Sequence, residues 1–281
     1  MLDNSTNHTR STNITSSPET LSIWQQKVNR SPTCQHDLIL STALARRGID
    51  IVALQEPAIA SFGTAIASGE WTSIYPTTHS KDLAKTRSVL LIRNSLLTKH
   101  WKQIDFPSRD VTVIQLNGGQ GTLMLFNIYN GSKSNETINL LKAFTHSLPA
   151  SRSHNTENSD AVLWLGNFNR HHPHWDNPAD TRPFTRSAIE NAEILISTVA
   201  GLGLDLALPQ GILTHLHNVS KKWTRLDHVF ITEDFLDMIL TCNVLADTPG
   251  INTDHVPILT TLDLSVARAP LNPPKNFRNV D

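Results

Sequence analysis

The chain has no surplus of positive charge: 24 basic residues stand against 25 acidic ones. It therefore lacks an overall basic field to draw in nucleic acid, and any such contact has to be a local patch. Cysteine is equally scarce. Cys34 and Cys242 are too few and too far apart for a disulfide scaffold, and neither belongs to a CxxC metal pair. This fits a reducing, intracellular home, nuclear or cytoplasmic, and not secretion. The N-terminal MLDNSTNHTRSTNITSSPET has no charged segment followed by an apolar core, which excludes a secretory signal of the usual form. The most apolar later stretch, 194–204, is far shorter than the ~20 residues a membrane span needs. No membrane partner is expected.

What is present is enough apolar material for a core. With 281 residues, 39% of them hydrophobic, the chain fits one large domain over 21–265, between a disordered polar tail (1–20) and a Pro-rich extended tail (266–281). A monomer is the expected state. Strands are read at 21–24, 49–54, 88–93, 111–116, 122–129, 162–165, 225–231 and 256–262, with a hairpin-like turn at 117–121. Helices are read at 37–47, closed by Gly48, and at 136–147 and 187–199. A polar insertion occupies 150–159. The strand at 49–54 is almost wholly apolar, which marks burial on both faces inside a layered α/β or α+β sandwich.

Polar residues recur where these apolar strands stop. Glu56 follows IDIVALQ, Tyr129 ends LMLFNIY, and Asn167 and Asn169 follow VLWLG. Asp227 and His228 interrupt RLDHVF, and Asp254 and His255 precede VPIL. Any one of these is an ordinary polar strand-to-loop junction. Together they can converge on one sheet edge. Carboxylate oxygens suit Mg²⁺, and an Asp-His pair can move protons or hold a phosphate, an inventory for metal-assisted phosphodiester hydrolysis.

The segments IVALQEP, FNIYN, LGNFNRHHPHWD, RLDHVF and TDHVPI, in that order, resemble the endonuclease/exonuclease/phosphatase superfamily. The nearest likeness is to the endonuclease domains of LINE-type non-LTR retrotransposons, over roughly 21–264. The resemblance implies a four-layered α/β sandwich, two packed mixed β-sheets flanked by helices, with DNA as partner and Mg²⁺ or Mn²⁺ as cofactor. It implies a metal ligand at Glu56 and a contact from Tyr129 to the scissile phosphate. It makes Asn169 a phosphate-holding residue, Asp227 a support of the site, His255 the phosphate-facing or proton-handling residue, and Asp254 its orienter or a metal neighbour. Thr253 keeps the hydroxyl of a usual serine.

Two positions depart from the family pattern. Asn167 stands where the GDFN loop carries an aspartate that activates water; a carboxamide cannot take a proton at neutral pH, so the expected loss is about 10²- to 10⁴-fold in rate. Lys27 stands where the first strand ends in an asparagine, with Asn29 two residues on and on the same face. An ammonium there opposes a metal, and an ion pair with Glu56 and weakened Mg²⁺ binding are expected. The resulting expectation is a metal-dependent endonuclease by descent, impaired at both positions. The alternatives are a non-catalytic relic or repurposed nucleic-acid or phosphate-binding domain, and a small-molecule or lipid phosphatase. Among other residues, His171, His172 and His174 are read as structural rather than a zinc cluster. His215 and His217 are read as partly exposed on a strand. Trp164, Trp175 and Trp223 are read as packing residues, and Lys221-Lys222 is the best local candidate for a phosphate-backbone contact, although a solvated loop is the plainer reading.

Overall fold

A computed structural model describes residues 20–96, 98–118, 121–147, 160–245 and 253–263. The polar tail up to residue 19, the insertion at 150–159 and the Pro-rich tail lie outside the described residues. In chain order the first strands are β1 (Thr20–Lys27), β2 (Ile51–Gln55), β3 (Trp71–Ile74), β4 (Ser88–Arg93) and β5 (Trp101–Ile104). They are followed by β6 (Val111–Gly118), β7 (Gly121–Tyr129), β8 (Ala161–Asn167), β9 (Leu204–Leu206) and β10 (His215–Leu216). The last are β11 (Trp223–Thr224), β12 (Asp227–Thr232), β13 (Ile239–Val244) and β14 (Ile258–Asp263). The helices are α1 (Pro32–Leu40), α2 (Thr42–Arg46), α3 (Glu136–Ser147) and α4 (Arg186–Gly201).

The strands form two six-stranded sheets, ordered β13-β14-β1-β2-β4-β3 and β5-β6-β7-β8-β12-β9, and a small β10-β11 ribbon. Both large sheets are mixed: β1 runs parallel to β2 and β7 parallel to β8, while their other pairings are antiparallel. Strand alternation sorts the side chains into layers. Ile23, Ile51, Ala53 and Leu90 of the first sheet meet Ile114, Leu125, Leu165 and Val229 of the second in a central core. Their sequence neighbours point outward. Trp24, Val52, Leu54 and Leu91 pack on Leu38, Ile39 and Leu44 of α1 and α2. On the far side Val113, Phe126, Trp164 and Phe230 pack on Ile138 and Leu141 of α3 and on Ala192, Leu195 and Val199 of α4. The result is the expected α/β sandwich of two packed sheets flanked by helices.

Several local expectations shift. The helix read at 37–47 is two helices, broken at Ser41, which takes an extended conformation (ψ 132°) and caps Ala43 N with its hydroxyl. It also begins earlier. Ser31 accepts from Cys34 N and Pro32 occupies the first turn, where its missing N–H costs nothing. β1 extends past residue 24 to Lys27, because Gln25 and Gln26 are buried with the strand rather than ending it. Beneath one rim the sheets are clasped by polar groups: Gln55 Nε2 donates to Asn127 Oδ1 (2.6 Å), and Asn127 Nδ2 donates to the carbonyls of Leu54 and Val89.

β7 and β8 meet closely at Gly166, which holds φ +147° opposite Ile128. A Cβ there lies 1.9 Å from the Ile128 carbonyl oxygen, so only glycine fits. Gly166→Ala is expected to cost at least about 3 kcal/mol, because the obstruction is backbone in a buried strand pair. Urea denaturation reads this directly, and an unchanged midpoint would contradict the packing described.

Candidate active site

The ends of β1, β2, β7 and β8 and the beginnings of β4, β12 and β14 lie at one rim, as their registers require: Lys27 faces Gln55, Gln55 faces Ser88, and Asn167 lies between Tyr129 and Asp227. Each strand delivers its terminal polar residue there. Four of the connecting residues, Asn29, Arg30, Glu56 and Asn169, are non-glycine residues at positive φ, between 49° and 55°. Such conformations are costly for L-residues and persist where surrounding structure imposes them, most often at functional sites.

The side chains close into a ring. Lys27 Nζ lies 3.1 Å from Glu56 Oε2, forming the ion pair expected between them, and Lys27 also donates to Asn29 Oδ1. Asn29 Nδ2 donates to Asp254 Oδ1 at 2.6 Å. Asp254 Oδ1 is 3.6 Å from His255 Nε2, and His255 Nδ1 is 2.7 Å from Asp227 Oδ2. Asn167 Nδ2 donates to Asp227 Oδ1 at 3.0 Å. Tyr129 hydrogen-bonds Glu56 through its hydroxyl, and the circuit closes through the backbone, where Tyr129 pairs with Asn167 in the sheet. Burial first, then the charge and hydrogen bonding of Glu56, push the Tyr129 hydroxyl up to about 12, so it is a neutral donor. Asn169 stands beside the ring, its Nδ2 donating to the Asn130 carbonyl (2.7 Å).

The charges are balanced residue by residue. Burial opposes ionisation of Asp227, but His255 and hydrogen bonds from Thr214 and Asn167 outweigh it and hold the carboxyl below its ordinary value. Asp254 is likewise held well below its ordinary value: partial burial opposes this, but hydrogen bonds from His215 and Asn29 and the nearby histidines overcome it. The ionised Asp227 can only accept, so His255 Nδ1 carries the proton between them, and Nε2 is turned toward Asp254. Asn167 Oδ1 is buried with no hydrogen-bond partner among the described residues.

Of the residues singled out in the sequence, Glu56, Tyr129, Asn167, Asp227, Asp254 and His255 are joined in this ring with Lys27 and Asn29. His228 points elsewhere: it is buried between Trp175 and Phe168, accepts from Arg225 Nε (3.2 Å), and is kept neutral by burial. His215 departs from expectation. It is only 8% exposed, because β10 lies against the segment carrying His255, whereas His217 is exposed. Trp223, read as a packing residue, is 41% exposed on the β10-β11 ribbon; Trp164 and Trp175 are fully buried. His172 and His174 pack around the Trp175 ring. Sequence reading passed over Arg87 and Asp110. Arg87 lies over the Tyr129 ring (4.5 Å) and bonds Asp110 through Nε (2.7 Å). Both precede strands, so inspecting strand beginnings as well as ends would have found them.

No protein-family model matches the sequence, and no curated protein does. Solved structures do. The endonuclease domain of TRAS1, a telomere-specific non-LTR retrotransposon, superposes with a TM-score of 0.66 at 16% identity, covering 88% of this chain and 100% of that domain. The AP endonuclease LMAP from Leishmania major gives 0.67 at 12% identity, covering 87% of this chain and 88% of that one. The 3′-5′ exonuclease NExo from Neisseria meningitidis gives 0.61 at 14% identity, covering 86% and 100%. The chain therefore has the endonuclease/exonuclease/phosphatase fold, in agreement with the resemblance its motifs carry. Among the described residues no helix is long and apolar enough to cross a membrane.

Because Asp227 and Asp254 are both depressed on folding, the folded chain binds fewer protons than the unfolded one in acid. Their stabilisation is complete above about pH 4, the ordinary carboxylate range, and drains away as pH falls through the folded values. Asp227→Asn should start less stable at neutral pH and lose less on acidification. Urea midpoints measured down the acid limb test this; parallel limbs for the two proteins would refute it.

Proposed function

We propose that this chain is a DNA-directed phosphodiesterase domain by descent in which Mg²⁺-assisted hydrolysis is impaired by Lys27 and Asn167. The observation that carries the reading is the Lys27–Glu56 pair, 3.1 Å apart, beside an assembled Asp227–His255 dyad. The residues present do not fit a bound Mg²⁺. The one carboxylate offered at the end of β2 is neutralised by an ammonium, and a unit charge at about 4 Å in a medium of effective dielectric ~20 repels each unit of cation charge by roughly 4 kcal/mol.

What the chain's own groups can do is receive a phosphodiester. Tyr129 and Asn169 offer neutral donors, Lys27 offers charge, and His255 is held by Asp227 with Nε2 toward the site. Asn167 can hydrogen-bond a water but cannot accept its proton. An aspartate at 167 would stand about as close to Asp227 as the amide nitrogen does, and two such carboxylates share a proton, which restores a group able to exchange one. DNA is the favoured ligand class because a solved relative of this fold, the 3′ phosphatase NExo from Neisseria, is bound to a product DNA hairpin. The exposed Trp223 with Lys221 and Lys222 supplies a local surface for bases and phosphates despite the neutral net charge. We take the domain to span 21–265 and to act as a monomer inside the cell.

Plasmid nicking with Mg²⁺ tests the reading. The wild type should be slow or silent, and Lys27→Asn/Asn167→Asp should gain about 10²-fold or more. Wild-type nicking that the double variant does not exceed, or micromolar Mg²⁺ affinity by calorimetry, overturns it. Silence from both proteins with DNA binding retained favours the second reading, a binding domain, which the self-closed Lys27–Asn29–Asp254 network supports. Trp223→Ala should weaken DNA binding by about 1–3 kcal/mol if bases stack on it, as read by fluorescence anisotropy.

A further inference from the structure

The β10-β11 ribbon brings a histidine to the site that the catalytic reading does not use. His215 and His255 form an isolated antiparallel bridge, flanked by hydrogen bonds from Leu216 N to Asp254 O (2.8 Å) and from Val256 N to Thr214 O (2.9 Å). Their rings lie 4.6 Å apart. Between them is Asp254, with Oδ2 at 3.4 Å from His215 Nε2 and Oδ1 at 3.6 Å from His255 Nε2. Among the described residues this is the one group of three in which histidine and carboxylate donor atoms all lie within 4.8 Å of one another.

The ring nitrogens turned away from Asp254 are both engaged, and the carboxylate itself is anchored. His255 Nδ1 bonds the Asp227 carboxylate (2.7 Å), and His215 Nδ1 bonds the Thr224 hydroxyl (2.8 Å). Asp254 accepts from Asn29 Nδ2 (2.6 Å) on one oxygen and Asn218 Nδ2 (2.9 Å) on the other. Each imidazole is thus oriented through Nδ1 so that Nε2 faces the same carboxylate. That is the outer-shell arrangement that orients metal-binding histidines, including a carboxylate behind one of them. A simple histidine–aspartate hydrogen bond needs neither the second histidine nor the anchoring of every partner. With bonds of about 2.1 Å, a tetrahedral ion sets its ligand atoms about 3.4 Å apart, which matches the separation of His215 Nε2 from Asp254 Oδ2 and leaves His255 Nε2 to close in, the donor atoms of all three residues already lying within 4.8 Å of one another.

We propose that His215, Asp254 and His255 bind one divalent transition ion of the zinc class through Nε2, carboxylate oxygen and Nε2. Two nitrogen donors and a single carboxylate favour such an ion over Mg²⁺. Three protein ligands leave a position for water or a phosphate oxygen. The site does not depend on hydrolysis, so it stands or falls by binding alone.

Co²⁺ titration of the full chain, read by visible absorption, and Zn²⁺ calorimetry are the tests. The wild type should take up one ion per chain, show the ligand-field bands of a low-coordinate site, and retain the ion in excess Mg²⁺. His215→Ala and Asp254→Asn should each weaken uptake by more than about 100-fold, and Thr224→Val by roughly 10-fold, the range seen when outer-shell partners are removed. Zn²⁺ should raise the melting temperature of the wild type but not of His215→Ala. His217→Ala and His172→Ala should bind as the wild type does. Absence of one-equivalent uptake, or uptake that survives His215→Ala and Asp254→Asn or is lost in His172→Ala, overturns the proposal. Should His215→Ala fail to fold, Thr224→Val decides: unchanged affinity counts against the site.

Discussion

Asp227 is 2% exposed and ionised, and the rim of the sandwich is organised around meeting that demand. A buried carboxylate is tolerated only when it is paired and hydrogen-bonded, and stripping a partner from such a group costs about 3–5 kcal/mol. Its partners come from separate parts of the chain. Asn167 arrives at the end of β8, Thr214 just ahead of β10, and His255 on the segment leading into β14, which belongs to the opposite sheet. One charge therefore ties both sheets and the ribbon together at the place where the site forms.

The same logic gives the two unusual residues a structural rationale. Asn167 has its amide toward Asp227, where an aspartate would set two buried carboxylates against each other. Lys27 supplies Glu56 with a counter-charge and holds Asn29, which in turn holds Asp254. The rim is electrostatically closed by its own side chains. The fold is one shared with solved nucleases, and at its rim an amide and an ammonium stand among the carboxylates. The histidine of the ribbon adds a nitrogen donor beside Asp254.

Much of the architecture was legible because alternation and length are local properties. The apolar run ending at Gln55 had to lie in a buried strand, and the segments ending at Tyr129 and Asn167 had to deliver polar residues to its edge. The break of the first helix at Ser41 was less visible, since serine is tolerated within helices and its capping of Ala43 depends on the turn taken. Short strands such as β9, β10 and β11 carry too few residues for a period to register.

The sequence by itself determined the sheets, the order of the rim residues along the chain, and the presence at Asn167 of a carboxamide that takes up no proton at neutral pH, because these follow from side-chain chemistry and strand periodicity. The tertiary structure decided which of those residues touch. It set His215 against Asp254, left Trp223 uncovered, placed Arg87 over Tyr129 and turned Asn167 toward Asp227. Contacts between residues dozens of positions apart depend on how two twisted sheets and a ribbon are stacked, and no local pattern encodes that arrangement.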